Sequence, residues 1–197
     1  MIRTAAVVIS LAGLASSAFA QNFELSIVLS SETADTSGGS AVVTATVYGD
    51  ADVGTHMLGG SFSVVSNSAN VVDMTWTPAG WSVFNTDGGY AGEGNYNLTN
   101  YGQLWPLGGI FPPPPQSALG SAIGSFEITL TGIGEVQFDL VEGTPFTLET
   151  VDEYTGVTFQ SSNGNVSLSS ATVTMLPSPG AFSVLGLGGL FAARRRR

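Results

Sequence analysis

The chain has 197 residues, with fifteen acidic and only five basic side chains, for a net charge of -10 at neutral pH with histidine uncharged. It has no cysteine, which excludes disulfides, thiolate nucleophiles and cysteine-ligated zinc. The acidic excess disfavours nucleic acid and anionic lipid as partners, and 26 glycines with only 10% charged residues point to an all-β body.

The N-terminus reads as a secretory signal peptide over residues 1–20. Arg3 supplies the positive start, Ala5 to Leu14 the apolar run, and Ala18 and Ala20 the small residues that precede cleavage before Gln21. The export machinery and a signal peptidase are the partners this implies.

Residues 21–176 then carry all fifteen acids and neither lysine nor arginine. No Lys or Arg salt bridge can form within them, so the fold must rest on apolar burial and backbone hydrogen bonds. The carboxylates repel one another over a Debye length of about 8 Å at physiological ionic strength, a repulsion that added salt screens.

Period-two patterns fill this stretch. Phe23, Leu25, Ile27 and Leu29 alternate with polar residues, as do Ala41 to Val47, Leu58 to Val64 and Val72 to Trp76. Further runs are Phe126 to Leu130, Val136 to Leu140, Phe146 with Leu148, Val166 with Leu168, and Val173 with Met175. Turn signals separate them at Ser37-Gly38-Gly39, Gly49-Asp50, Gly132-Ile133-Gly134, Glu142-Gly143 and Asn163-Gly164. About eight or nine strands with this spacing predict a two-sheet antiparallel β-sandwich, with a closed barrel as the alternative. In pattern, the domain loosely resembles cohesin-like and carbohydrate-binding sandwich domains.

An excursion over residues 77–119 is rich in glycine and aromatics and ends in Pro112 to Pro115. Trp81 to Phe84 and Tyr96 to Leu98 are its candidate strands. Trp81, Tyr90, Tyr96, Tyr101 and Trp105 are its candidate ligand platforms, because their faces stack on sugar rings. Asn85, Asp87, Asn95, Asn97 and Gln103 are the polar residues that would complete a glycan site. The competing reading makes these aromatics a satellite core.

Asp50, Asp52 and Asp87 sit at turns and are the candidate ligands for calcium; no other cofactor is expected. His56, the single histidine, lacks the surroundings of a catalytic triad and no pair of carboxylates stands out, so no catalytic residue is assigned.

The C-terminal stretch, residues 177–197, has three parts: Pro177-Ser178-Pro179, the apolar run Gly180 to Ala193, and the terminal Arg194, Arg195, Arg196 and Arg197. At about 1.5 Å per residue the run makes roughly 21 Å of helix, short for a membrane core of roughly 30 Å. The arginines form a stop that would hold this end in the cytoplasm.

This arrangement resembles the PEP-CTERM type of bacterial sorting tail, departing from it at Ser178, where the family motif has Glu. The resemblance implies an exosortase-like sorting enzyme as partner and inner-membrane contact through a short C-terminal helix. It also implies a secreted or cell-surface location, with transient or permanent anchoring. On this reading the chain is a non-enzymatic structural or adhesive protein of the cell surface or extracellular matrix. The alternatives are an extracellular carbohydrate-binding module, which would make extracellular polysaccharide a partner, and an extracellular hydrolase.

Overall fold

Alternation along the first strand buries Phe23, Leu25 and Ile27 and turns Glu24, Ser26 and Val28 outward, because successive strand side chains point to opposite faces. The same rule organises the whole computed structural model, which describes residues 20–104 and 117–176. Its strands are β1 (Asn22–Leu29), β2 (Thr33–Asp35), β3 (Ser40–Ala51), β4 (His56–Val65), β5 (Val71–Pro78), β6 (Thr86–Asp87) and β7 (Tyr90–Gly92). They continue as β8 (Asn95–Gly102), β9 (Ala122–Thr131), β10 (Gly134–Glu142), β11 (Glu149–Val151), β12 (Thr158–Gln160), β13 (Asn165–Leu168) and β14 (Ser170–Leu176). One sheet has the order β13-β1-β3-β9-β5. The other contains nine strands, in the order β12-β11-β4-β10-β14-β2, with β8, carrying β6 and β7, also on β4. Pairing is antiparallel except for β1 with β13 and β14 with β2.

Registers show that β10 and β11 lie along the same edge of β4. Phe62 pairs with Thr99 of β8 and with Glu142 of β10, and Gly59 pairs with Gly102 of β8 and with Glu149 of β11. Since β8 occupies one edge of β4, β10 and β11 must share the other. They are two halves of one strand, interrupted by residues 143–148.

The core lies between the sheets and is aromatic at its centre. Phe126 is fully buried, with its ring centroid 4.7 Å from Trp76, 4.9 Å from Tyr96 and 6.3 Å from Phe62. Edge-to-face arrangements such as the 88° pairing of Phe126 with Phe62 are the favoured geometry for rings in contact. The β9–β10 hairpin turns on Gly132 (φ 77°) and Gly134 (φ 114°), a backbone region open to glycine but costly for other residues, and leaves Ile133 exposed between them.

The all-β, two-sheet sandwich is therefore observed, with three corrections to the reading from sequence. Among the described residues fourteen strands are present rather than eight or nine, because short pieces such as β2, β6, β7, β11 and β12 are too brief to show a period. Phe146 and Leu148 form no strand of their own; they belong to the interruption, where Leu148 plugs the core. The expected flanking helices, an N-terminal signal helix and a short C-terminal apolar helix, are not found: the described residues contain one 3-10 turn (Ser161–Asn163) and no helix long and apolar enough to cross a membrane. Of the residues that carried those expectations, Ala18, Pro177, Ser178, Pro179 and Arg194 to Arg197 lie outside the described residues. Ala20 and Gln21 begin the described chain, where the Gln21 carbonyl accepts from Asn165 N at 2.8 Å.

Candidate functional site

A change of phase within β4 creates the site. Met57 is buried, yet so are Phe62 and Val64, so the inward face passes from odd to even positions, and the register against β11 shifts at Leu58, between Met57 and Gly59. A bulge of this kind re-aims the side chains beyond it. Phe62 and Val64 enter the core, and Leu58, Gly59, Gly60 and Ser61 line the floor of a groove of about 490 Å³. Phe84 and Leu104 stand on one side of the groove, and Pro145 and Phe146 line it from the interruption. Phe84 and Leu104 are 54% and 62% exposed, large values for apolar side chains.

The interruption is held by a dense set of bonds. Ser61 N and Oγ both donate to the Phe146 carbonyl at 3.1 Å, and Ser61 Oγ also lies 3.1 Å from the Thr144 carbonyl. Ser161 Oγ accepts from Thr147 N at 2.9 Å and Leu148 N at 3.1 Å. Tyr101 Oη donates to the Thr147 carbonyl at 2.7 Å. Backbone groups that leave a sheet must find other partners when buried, and these side chains supply them. The Thr144–Pro145 peptide within the segment is cis.

Gly60 is required for the fit: a Cβ there would lie 2.1 Å from the Thr147 carbonyl oxygen. Gly143 is constrained likewise, with a Cβ 2.2 Å from the Ser61 carbonyl oxygen. At the far end of the groove are Glu149, Gly156 and Thr158. Gly156 belongs to the β11–β12 turn, which presents Tyr154 at 85% exposure. That turn is fixed by Asp152 Oδ1, which accepts from Tyr154 N, Thr155 N and Thr155 Oγ1 at 2.8–3.1 Å. These bonds, those from Thr155 first, hold the Asp152 carboxyl below its ordinary range.

The residues selected from sequence are distributed differently. Trp81, Tyr96 and Tyr101 are buried, at 6%, 4% and 3% exposure. Trp81 Nε1 donates to the Ala122 carbonyl at 2.8 Å and its ring stands edge-on to Tyr101, 6.1 Å away. Tyr90 Oη donates to the Val71 carbonyl at 2.5 Å. Trp81, Tyr90 and Tyr101 bond internally and pack with Tyr96 against the core; Tyr90 stays half-buried, and Tyr101 also lines the groove. Trp105 lies outside the described residues.

Asn85, Asn95 and Asn97 bond to neighbouring loop groups; among the polar residues chosen to complete a glycan site, Gln103 is the one that lines the groove. Phe146 and Tyr154 were not chosen from sequence. Nothing in a single phenylalanine or a Gly-flanked tyrosine distinguishes a groove wall from a core position.

Asp50 and Asp52 share a cleft with Asn22 and Glu24 at the end of the five-stranded sheet. Asp52 accepts from Asn22 N at 2.9 Å and from Asn22 Nδ2 at 2.6 Å, which holds its carboxyl below the usual range. Asp87 lies on β6 in the other sheet, so the three are not brought together. Among the described residues no group of three or more His, Cys, Asp or Glu is placed to hold a metal ion. His56 is part-buried, with Nδ1 3.0 Å from Thr55 Oγ1 and 3.8 Å from Glu153.

The buried phenols give a pH signature. Burial raises Tyr101 far above the ordinary tyrosine value and, with the charge of Asp87 as second cause, raises Tyr96 to about 12. A raised folded value means that the neutral phenol is favoured in the native state. The stability this represents is complete below the unfolded value of about 10 and is lost as pH rises above it, for Tyr96 until about 12. Melting temperature should therefore fall steadily from pH 10 to 12, with phenolate absorbance appearing as the protein unfolds. Phenolate absorbance that reaches its full value near pH 10 without loss of structure would contradict the burial of both rings.

No protein-family model matches the chain, and no curated protein does. Solved structures do. The seventh ScaB type I cohesin from Pseudobacteroides cellulosolvens aligns with a TM-score of 0.50 and 10% identity, covering 80% of this chain and 93% of that one. A type II cohesin domain from the cellulosome of Acetivibrio cellulolyticus aligns at 0.48 and 14%, covering 77% and 95%. A cohesin module from a Clostridium perfringens family 33 glycoside hydrolase aligns at 0.46 and 11%, covering 81% and 98%. The first of these shows a cohesin-like sandwich.

The resemblance to sorting-tail proteins is corrected by these findings. The match is to cohesin modules, and no described helix can span a membrane. With that resemblance go the sorted structural or adhesive role, the exosortase-like partner, the inner-membrane contact and the C-terminal anchoring.

Proposed function

We propose that the chain is an exported, non-catalytic binding module that holds a polysaccharide in the groove beside the interrupted strand. The observation that carries this reading is the groove itself. It is open and apolar, it sits on the outer face of a sheet, and bonded backbone holds it in shape, as sites that bind without large rearrangement are held. Exposed Phe84, Phe146 in the wall and Tyr154 on the adjoining turn provide the ring surfaces that sugar faces need. Among the described residues Glu149 is the only acid lining the groove, whereas hydrolysis of a glycoside ordinarily takes two carboxyl groups flanking one bond. A cohesin-like fold is compatible with this assignment and does not by itself select the ligand. The leader over residues 1–20 is the ground for calling the module exported.

The test is affinity electrophoresis of the full chain in gels containing soluble polysaccharides. Retardation is expected for at least one of them, and Phe84→Ala should lower the affinity about tenfold, as loss of one stacking ring does. The same substitution should leave the melting temperature nearly unchanged, because Phe84 is half exposed. Migration unaffected by every polysaccharide offered would refute the assignment.

A further inference from the structure

The polar groups of the groove offer acceptors and negative charge. Gln103, only 6% exposed, lines its wall and donates from Nε2 to the Met57 carbonyl and to Ser117 Oγ, both at 2.8 Å. Ser117 Oγ in turn donates to the Met57 carbonyl. A carbonyl can only accept, so the amide orientation is fixed. Gln103 Oε1 is then left buried with no partner, an acceptor without a donor.

On the opposite side Glu149 of β11 lines the groove, while Glu142, Asp152 and Glu153, on or next to β10 and β11, lie outside its lining. Glu149 Oε1 accepts from Gln160 Nε2 at 2.8 Å, which places its carboxylate on the groove's end. No lysine or arginine is present among the described residues to offset these charges.

Resting on the polysaccharide reading, we propose that the groove selects a polysaccharide bearing free amino groups. Its sugar rings lie on the apolar floor, a protonated amine meets Glu149, and a ligand N–H or O–H supplies the donor that Gln103 lacks. A uronic-acid polymer would instead bring like charge to an already acidic rim, which discriminates against it.

Calorimetry with the full chain at mildly acidic pH, where sugar amines are protonated, tests this with three probes: a glucosamine oligosaccharide, its fully N-acetylated counterpart and an oligogalacturonate. The expected order is amino first, N-acetylated weaker, galacturonate undetectable. Glu149→Gln keeps the bond to Gln160 and should weaken the amino ligand roughly tenfold while leaving the N-acetylated one unchanged. Glu127→Gln, on the outer face of the other sheet, removes the same charge away from the groove and should change neither.

Equal losses from both substitutions would reveal unspecific attraction of a polycation to an acidic surface and overturn the proposal. So would equal binding of the amino and N-acetylated probes, an outcome that leaves the polysaccharide reading standing. Absence of binding by all three probes, together with the failed gel shifts above, would remove both.

Discussion

Phe126→Ala is expected to destabilise the protein by about 4 kcal/mol, the usual cost of removing a large ring from a packed interior. For a body of this size that corresponds to a fall in melting temperature of roughly 10 °C. The reason is position. Phe126 is fully buried on β9, the strand between β3 and β5, and its ring meets Trp76 of its own sheet and Tyr96 and Phe62 of the other. Those partners are themselves anchored on paired strands, so they cannot collapse into the space. Cooperative thermal melts followed by circular dichroism would check it, and a shift below about 2 °C would show that the two sheets do not meet at this ring.

Gly60→Ala should cost nearly as much, by a different route. The new methyl would lie 2.1 Å from the Thr147 carbonyl oxygen and 2.7 Å from Tyr101 Oη, the two atoms that bond to each other. It would thus intrude on a buried hydrogen bond and press the 143–148 segment off β4. Overpacking and an unsatisfied phenol together give about 3 kcal/mol. The segment also forms one wall of the groove, so polysaccharide binding should be lost even where the variant remains folded. Hydrogen exchange would report faster exchange at Thr147 and Leu148, whose amides are held by Ser161 Oγ. Unchanged protection there would contradict the described packing.

Much of the sandwich was legible in the alternating residues. Phe23, Leu25 and Ile27, or Phe126, Ile128 and Leu130, are inward on strands of constant phase, and a period of two is enough to find them. The site was not legible, because it depends on broken period. Met57 and Phe62 belong to opposite faces by their spacing in the sequence, yet both are buried, because the register shifts between them at Leu58. Trp81 and Tyr101 look like ligand platforms because they are large rings among glycines, yet each is wedged against the other. The residues that do line the groove, such as Phe146, become neighbours of Phe84 only when two halves of a strand align on β4. That pairing joins residues far apart in the sequence, such as Gly59 and Glu149, and leaves no local trace.

The absence of lysine and arginine from the strands has a consequence for durability. The five basic residues are Arg3 and the four terminal arginines, so an enzyme that cuts after basic side chains finds no target between Thr4 and Ala193. Reagents that couple through lysine amines likewise find no side chain there to attack. Even a copy of this sandwich that has opened would resist trypsin-like digestion, a resistance written in its composition and independent of how tightly it folds.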